Sequence, residues 1–404
     1  MTSMIQRLGS ANLFDKSLSQ LTSRQADLAD QQAKLTAGKK VLRPSDDPTS
    51  AAQAERAHTR LNRIDIEKRS LQIQRNAMSM AESALGTAND TLKQVRDLVV
   101  SAGNAGFGSV NRSAIATQLR GLRDQLLSLA NQADTNGVPL FGGQGSDGAP
   151  FVDNGTNVSF KGNASQSNAT TTAIPSAMNG QAIWMNLPPG NGSFEVDLGS
   201  SNTGTMWSDV GRITNPAQVT GAQYTISFSN SGSGLQYSVT ATPSEAGLPT
   251  SVTYTAGQAI EFGGMSIRVQ GQPAAGDTLQ VAPTSTSNIT NVFKVVDDAI
   301  ASIDGAENSN RLSHATTRSL SELDIAIERI QTARGFAGDL LNRADNIESS
   351  QDVKSIQLEN DRSRAEDIDM VKGISDFQNK QTAYSAALQT YAQVQKLSLF
   401  NFLG

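Results

Sequence analysis

Residues 369–404 read DMVKGISDFQNKQTAYSAALQTYAQVQKLSLFNFLG. Along this stretch Ile374, Phe377, Tyr384, Leu388 and Tyr391 recur in a three-and-four spacing, with Gln381 and Gln395 at the remaining seam positions. Val394 and Leu397 widen the apolar stripe, and neither proline nor glycine interrupts the run between Gly373 and Gly404. That pattern predicts a heptad helix with a partly aromatic seam. Such a face needs a cover. At the opposite end of the chain Phe14, Leu18, Leu21, Leu28 and Leu35 repeat at the same spacing, with Gln25 and Gln32 in the gaps. The two seams predict that the terminal helices pair with each other or with neighbouring copies.

Working inward from the N-terminus, the first helix is expected from about Met4 to Leu35, stopped at Ala37-Gly38. The next stretch, Gly38-Lys39-Lys40-Val41-Leu42-Arg43-Pro44-Ser45-Asp46-Asp47-Pro48, reads as an extended connector, because each proline disfavours the helical region for the residue before it. Asp46 and Asp47 suit a helix cap, and Pro48 suits the first helical position. A long helix is predicted beyond it. Ile64, Leu71, Met78, Leu85, Leu92 and Val99 fall on every seventh residue, with the small Ala81 and Ala88 and then Val95 beside them. Gly103 to Gly108 breaks that helix, and Ile115, Leu119, Leu122, Leu126 and Leu129 mark a third.

After Asn136-Gly137 the composition changes. Residues 140–285 hold 11 charged side chains in 146 positions, against 60 in the other 258, together with 21 of the 34 glycines and both tryptophans. Alternating runs at Ser193–Leu198, Tyr224–Phe228, Leu235–Val239 and Met265–Val269 have the period of half-buried strands. A β-rich domain inserted between two helical halves is therefore expected. Helical periodicity resumes near Ile289, with Val292, Val296, Ile300 and Ile303 on one face. A longer helix after Asp304-Gly305 places Leu320, Ile327 and Leu341 at heptad positions. The predicted fold is α+β and multidomain: nested terminal helices in a coiled-coil-like bundle around a β-rich insertion. The corresponding boundaries are an N-terminal assembly helix at 1–41, helical core at 42–139, β domain at 140–285, helical core at 286–364 and C-terminal assembly helix at 365–404.

Composition narrows the functions open to this chain. A net charge of −5 and a pI near 5.2 speak against a nucleic-acid partner. The absence of cysteine removes disulfides, thiolate metal sites and a cysteine nucleophile. Met1 to Phe14 lacks the basic and apolar blocks of a cleavable signal peptide, and no run is long enough to span a membrane, so any secretion is expected to be non-classical. The two histidines, His58 and His314, lie in helical contexts outside any zinc-protease motif, and no Gly-x-Ser-x-Gly elbow occurs. Phe141 to Gly148 is glycine-rich but lacks the Gly-Lys-Ser/Thr of a phosphate loop. The expectation is a non-enzyme without cofactor or metal. Trp184 and Trp207 leave open a different reading, in which the β domain is a surface-binding adhesin module on a helical stalk.

Leu35-Thr36-Ala37-Gly38-Lys39-Lys40 followed by Arg43-Pro44-Ser45-Asp46-Asp47-Pro48 resembles the N-terminal signature of the flagellin family. Gly338-Asp339-Leu340-Leu341-Asn342-Arg343 is similar to a C-terminal motif of the same family, with Asp339 in place of its usual alanine, and Ser363 to Met370 looks like the linker before its last helix. Arg43-Pro44-Ser45-Asp46-Asp47-Pro48, Leu140-Phe141-Gly142-Gly143 and Ser398-Leu399-Phe400-Asn401-Phe402-Leu403 resemble the family's hook-associated members more than its filament subunits. The resemblance covers about the first 140 and the last 115 residues. It implies a structural flagellar protein, exported unfolded through the type III apparatus from the cytoplasm to the cell exterior and assembled as a junction ring between hook and filament. The partners it implies are other copies of the chain, the first hook-associated protein, flagellin and a flagellar export chaperone, with no membrane and no nucleic acid. A filament subunit remains the alternative.

Overall fold

The computed structural model describes residues 10–400 apart from 105, 233, 286–287 and 306–307, with side chains described from 15 to 393. In chain order the elements are α1 (Ser10–Ala37), α2 (Pro48–Ala102), α3 (Ser109–Ala130), β1 (Phe151–Asp153), β2 (Val158–Phe160), β3 (Phe194–Leu198), β4 (Trp207–Ser208), β5 (Arg212–Ile213), β6 (Gln223–Ser231), β7 (Gly234–Thr242), β8 (Val252–Thr253), β9 (Ala259–Phe262), β10 (Met265–Gln270), β11 (Thr278–Pro283), α4 (Val292–Asp304), α5 (Ser309–Glu366) and α6 (Met370–Phe400). Long terminal helices thus flank a central β-rich region. The chain divides into two compact units, residues 70–347 and residues 1–69 with 348–404.

In the unit 70–347 the predicted seam is filled. Leu85, Leu92, Val95 and Val99 of α2 are fully buried, together with Leu119 and Leu126 of α3, Phe293 and Val296 of α4, and Leu323 and Ile330 of α5. Ala81 and Ala88 of α2 are buried with them; without long side chains they let the neighbouring helices approach closely. Charged pairs rim the seam, such as Arg96 to Asp324 at 2.7 Å and Arg334 to Glu82 at 2.6 Å. A three-way link centred on the buried Arg123 joins α3, β1 and α4: Arg123 pairs with Asp153 and, at 3.0 Å, with Asp297.

Two separate apolar cores occupy this unit. One includes the helices and the stretch from Leu140 to Leu187, where Phe141 and Phe151 meet Trp184 edge-on and Trp184 stacks on Phe293 at 5.9 Å. The other belongs to the strands and their connecting loops: Tyr224, Ile226 and Phe228 alternate inward along β6 and meet Val239, Ile267 and Leu279. The antiparallel sheet β3-β11-β6-β7-β8 covers one side of that core, and a smaller sheet centred on β10, with β4, β5 and β9, supplies the rest. The stretch expected as one insertion from Leu140 thus contributes its first part to the helical core. Trp184, fully buried there, is no surface platform, and Trp207 is half-buried.

Polar side chains on α5 hold the outer sheets. Arg318 pairs with Glu195, with Asp197 at 2.6 Å and with the buried Glu322 at 3.0 Å. Glu322 also accepts from the Gly190 amide at 2.9 Å. His314, buried one turn earlier, places Nε2 3.0 Å from the Val196 carbonyl, and Nδ1 lies 3.4 Å from the Ser208 hydroxyl. A carbonyl only accepts, so Nε2 carries a proton, while Nδ1 lies between the Ser208 hydroxyl and, at 3.3 Å, the Ser208 carbonyl.

Candidate assembly surface

The second unit contains both chain ends, and its geometry starts from the connector. Gly38 adopts φ +69°, the left-handed conformation that ends α1. The chain then runs beside residues 366–368: the Lys40 amide donates to the Glu366 carbonyl at 2.8 Å, and the Ile368 amide donates to the Gly38 carbonyl at 3.0 Å. Lys39 pairs with Glu366, and Lys40 Nζ donates to the Arg364 carbonyl. Arg362 bonds Glu359 at 2.7 Å and Glu366 at 3.2 Å, and the Glu359 carboxylate holds its guanidinium above the ordinary value. The two connectors are therefore tied to each other by backbone and charge.

Asp46 and Asp47 do separate jobs. The Asp46 carboxylate accepts from the Leu42 and Arg43 amides, both at 3.0 Å, which closes the turn before α2. Asp47 caps α2, accepting from the Thr49 amide at 3.0 Å, the Ser50 amide at 3.1 Å and the Ser50 hydroxyl at 2.6 Å. Backbone donors at Asp46, and the Ser50 hydroxyl first at Asp47, hold both carboxyls below their ordinary value. Pro48 is the first residue of α2, where a missing amide costs nothing.

Beyond the joint, α1 and α6 run antiparallel. Gln31 of α1, almost fully buried, donates to the Gly373 carbonyl at 3.2 Å and accepts from Lys380 at 3.3 Å. Gly373 lets the helices come close: a Cβ at that position would stand 2.9 Å from the tips of the Leu35 and Ile368 side chains, which would have to shift to admit it. The seam residues are only partly covered. Leu21, Leu28, Leu35, Phe377, Tyr384 and Tyr391 are half-buried, while Leu18, Ile374 and Leu388 are 42%, 47% and 41% exposed. The side chains of Phe14, Val394 and Leu397 lie outside the described residues. Gln25, Gln32 and Gln381 are exposed, so the buried polar seam position is Gln31, which the heptad reading passed over. The Gln31–Lys380 and Lys39–Glu366 contacts join opposite ends of the chain, and only the predicted pairing of the termini hinted at them.

Chemically this surface offers an apolar strip and paired charges. Among the described residues no cluster of three His, Asp or Glu side chains is placed to hold a metal ion, and no helix is long and apolar enough to cross a membrane.

Known proteins resemble the chain at both ends. The family model for the bacterial flagellin N-terminal helical region matches residues 12–146, and that for the bacterial flagellin C-terminal helical region matches residues 320–403. Flagellar hook-associated protein 3 of Salmonella typhimurium is 31% identical over 149 residues, 36% of this chain and 46% of that protein, so the chain matches about half the length of that curated relative. The crystal structure of the flagellar junction protein FlgL from Legionella pneumophila superposes with a TM-score of 0.68 at 27% identity, over 73% of this chain and 99% of that one. Xanthomonas campestris FlgL gives a TM-score of 0.68 at 26% identity, over 77% and 99% of the two chains.

Proposed function

The chain belongs to the flagellin family, and from that premise we propose that it is a structural component of the bacterial flagellum, placed at the junction between hook and filament. The observation that carries this reading is the near-complete coverage of two junction-protein structures by a single chain of the same fold. The half-open α1–α6 seam supports it from the physical side, because apolar side chains that one chain leaves in water gain their burial from neighbours.

On this reading residues 1–41 and 365–404 are the assembly segments, other copies of the chain complete their seams, and the first hook-associated protein and flagellin lie on either side. Export from the cytoplasm to the cell exterior, with a flagellar export chaperone, precedes assembly. The role is mechanical, with no catalytic step. The Leu18, Leu21, Leu28 and Leu35 strip on α1 and the Ile374, Phe377, Tyr384, Leu388 and Tyr391 strip on α6 form the contact surface, extended in sequence by Phe14, Val394 and Leu397.

Deleting the gene tests the reading directly. Cells should retain hooks and shed polymerisable flagellin into the medium. Cells that keep hook and junction but make no flagellin at all would identify the chain as the filament subunit instead.

A further inference from the structure

Beside the joint between α1 and α2 lies an open cavity of about 780 Å³ whose role the paired termini do not explain. Its floor is one face of the first turns of α2, where Pro48, Ala51 and Ala52 present only small side chains. The connector supplies Val41, Leu42 and Pro44 as a wall, and Leu42 is 37% exposed. Both signs of charge stand on the rim: Lys39, Arg43 and Arg362 against Glu55 and Glu366. Lys39 and Arg362 are already paired with Glu366. An apolar hollow with a largely self-compensated rim fits an uncharged apolar segment.

The chain contains such a segment. Residues 397–403, Leu-Ser-Leu-Phe-Asn-Phe-Leu, carry no charge and five large apolar side chains. Within one chain α6 leads away from the joint. α6 starts at Met370, four residues past the rim residue Glu366, and runs without a break to Phe400. At about 1.5 Å per residue its far end lies roughly 45 Å from the joint.

We propose that the cavity receives residues 397–403 of a second copy of this chain, so that the tail of one subunit docks at the connector of the next. The contact is heterologous: joint and tail are different surfaces, and each copy offers one of each. Repetition therefore generates a ring or an open helical array, whereas an isologous contact would stop at a dimer. This assignment rests on the flagellar reading above and adds to it a specific donor and acceptor.

The test places the photo-reactive residue p-benzoylphenylalanine at position 42 of the full chain, with the same residue at Val110 of α3, which is 80% exposed, as control. Flagella are isolated and irradiated, and the adducts are mapped. The expected result is a dimer-sized adduct ending in residues 394–404, at least tenfold more abundant from position 42 than from position 110. Position 52 on the cavity floor should give the same product, which covers the case in which the first variant is not exported. An adduct to another protein, to a different segment, or within one chain would overturn the proposal, as would none from either position. If the chain is present in the isolated flagella and the adduct is absent, the docking assignment alone fails. If the chain is absent from them, the flagellar reading fails and takes this assignment with it.

Discussion

The seam inside unit 70–347 and the seam between α1 and α6 are written in nearly the same heptad code, yet they end in different environments. On α2 the heptad residues Leu85, Leu92 and Val99 are fully buried. On α6 the heptad residues Phe377, Tyr384 and Tyr391 are half-buried, and Ile374 and Leu388 face water. The difference is the number of covering partners. The α2 seam shares a core with α3, α4, α5 and the stretch around Trp184. The terminal pair has only two helices, and two helices cover one side of each other. A heptad pattern therefore announces a seam without saying whether the chain supplies the whole cover. Two classes of perturbation follow: those that cost folding and those that should cost assembly alone.

The largest effect is expected in the closed seam. Leu92→Ala removes a fully buried side chain from a packed core, where such truncations cost about 2–5 kcal/mol. The urea midpoint of the unit 70–347 should fall accordingly. A loss below about 0.5 kcal/mol would show that this seam is as loosely covered as the terminal one and would erase the contrast.

Much of this contrast could be read in advance because helices punctuate themselves locally. Asp47-Pro48 starts α2 through a cap and a fixed φ, and Gly38 ends α1, each within a few residues. The long strands β6, β7 and β10 announced themselves by alternation. The stretch from Leu140 to Leu187 did not, because Phe141, Phe151 and Trp184 share no period and meet only through the fold. The strands β4, β5 and β8 have two residues each, too few for any alternation to register. β11 does alternate, but only over six residues, between a Gly/Pro/Ala stretch and a Ser/Thr run. On the candidate surface the connector chemistry of Asp46, Asp47 and Pro48 was visible in the sequence. The polar centre was not: Gln31 is buried because Gly373 and Lys380 happen to face it across the pair.

A smaller effect should sharpen the comparison within unit 70–347, between its helical core and the strand core that α5 holds through polar side chains. Burial pushes the His314 imidazole below its ordinary value of about 6.5, against the pull of the Ser208 and Val196 carbonyls. The unfolded chain therefore takes up a proton before the native one does. Stability from this group is complete above pH 6.5 and is lost as the pH falls from there through the lower native value. Glu195 works in the opposite sense, since burial raises its carboxyl and favours the native state as acid protonates it. Comparing His314→Gln with the parent isolates the histidine. The parent should lose more stability than the variant between pH 7 and 5, measured by urea unfolding. Equal slopes would mean that the imidazole is solvated in the native state.

The smallest effect on folding, and the one that separates the two seams most cleanly, is expected at Leu388. Its side chain is 41% exposed on α6, so an aspartate there still reaches water in the isolated chain. Leu388→Asp should shift the melting transition by no more than the roughly 0.5 kcal/mol typical of surface substitutions. In an assembled ring a neighbour would cover the same position, and a carboxylate buried without a partner is strongly disfavoured. The variant should therefore fold and be exported, yet be missing from isolated hook–filament structures, with flagellin shed into the medium. A melting transition lowered by many degrees would mean that α6 is held by its own chain far more firmly than its exposure indicates. Normal incorporation of the variant would place Leu388 on a face that stays wet in the assembly, and the covering subunit would then have to lie on the Phe377, Tyr384 and Tyr391 side of the helix.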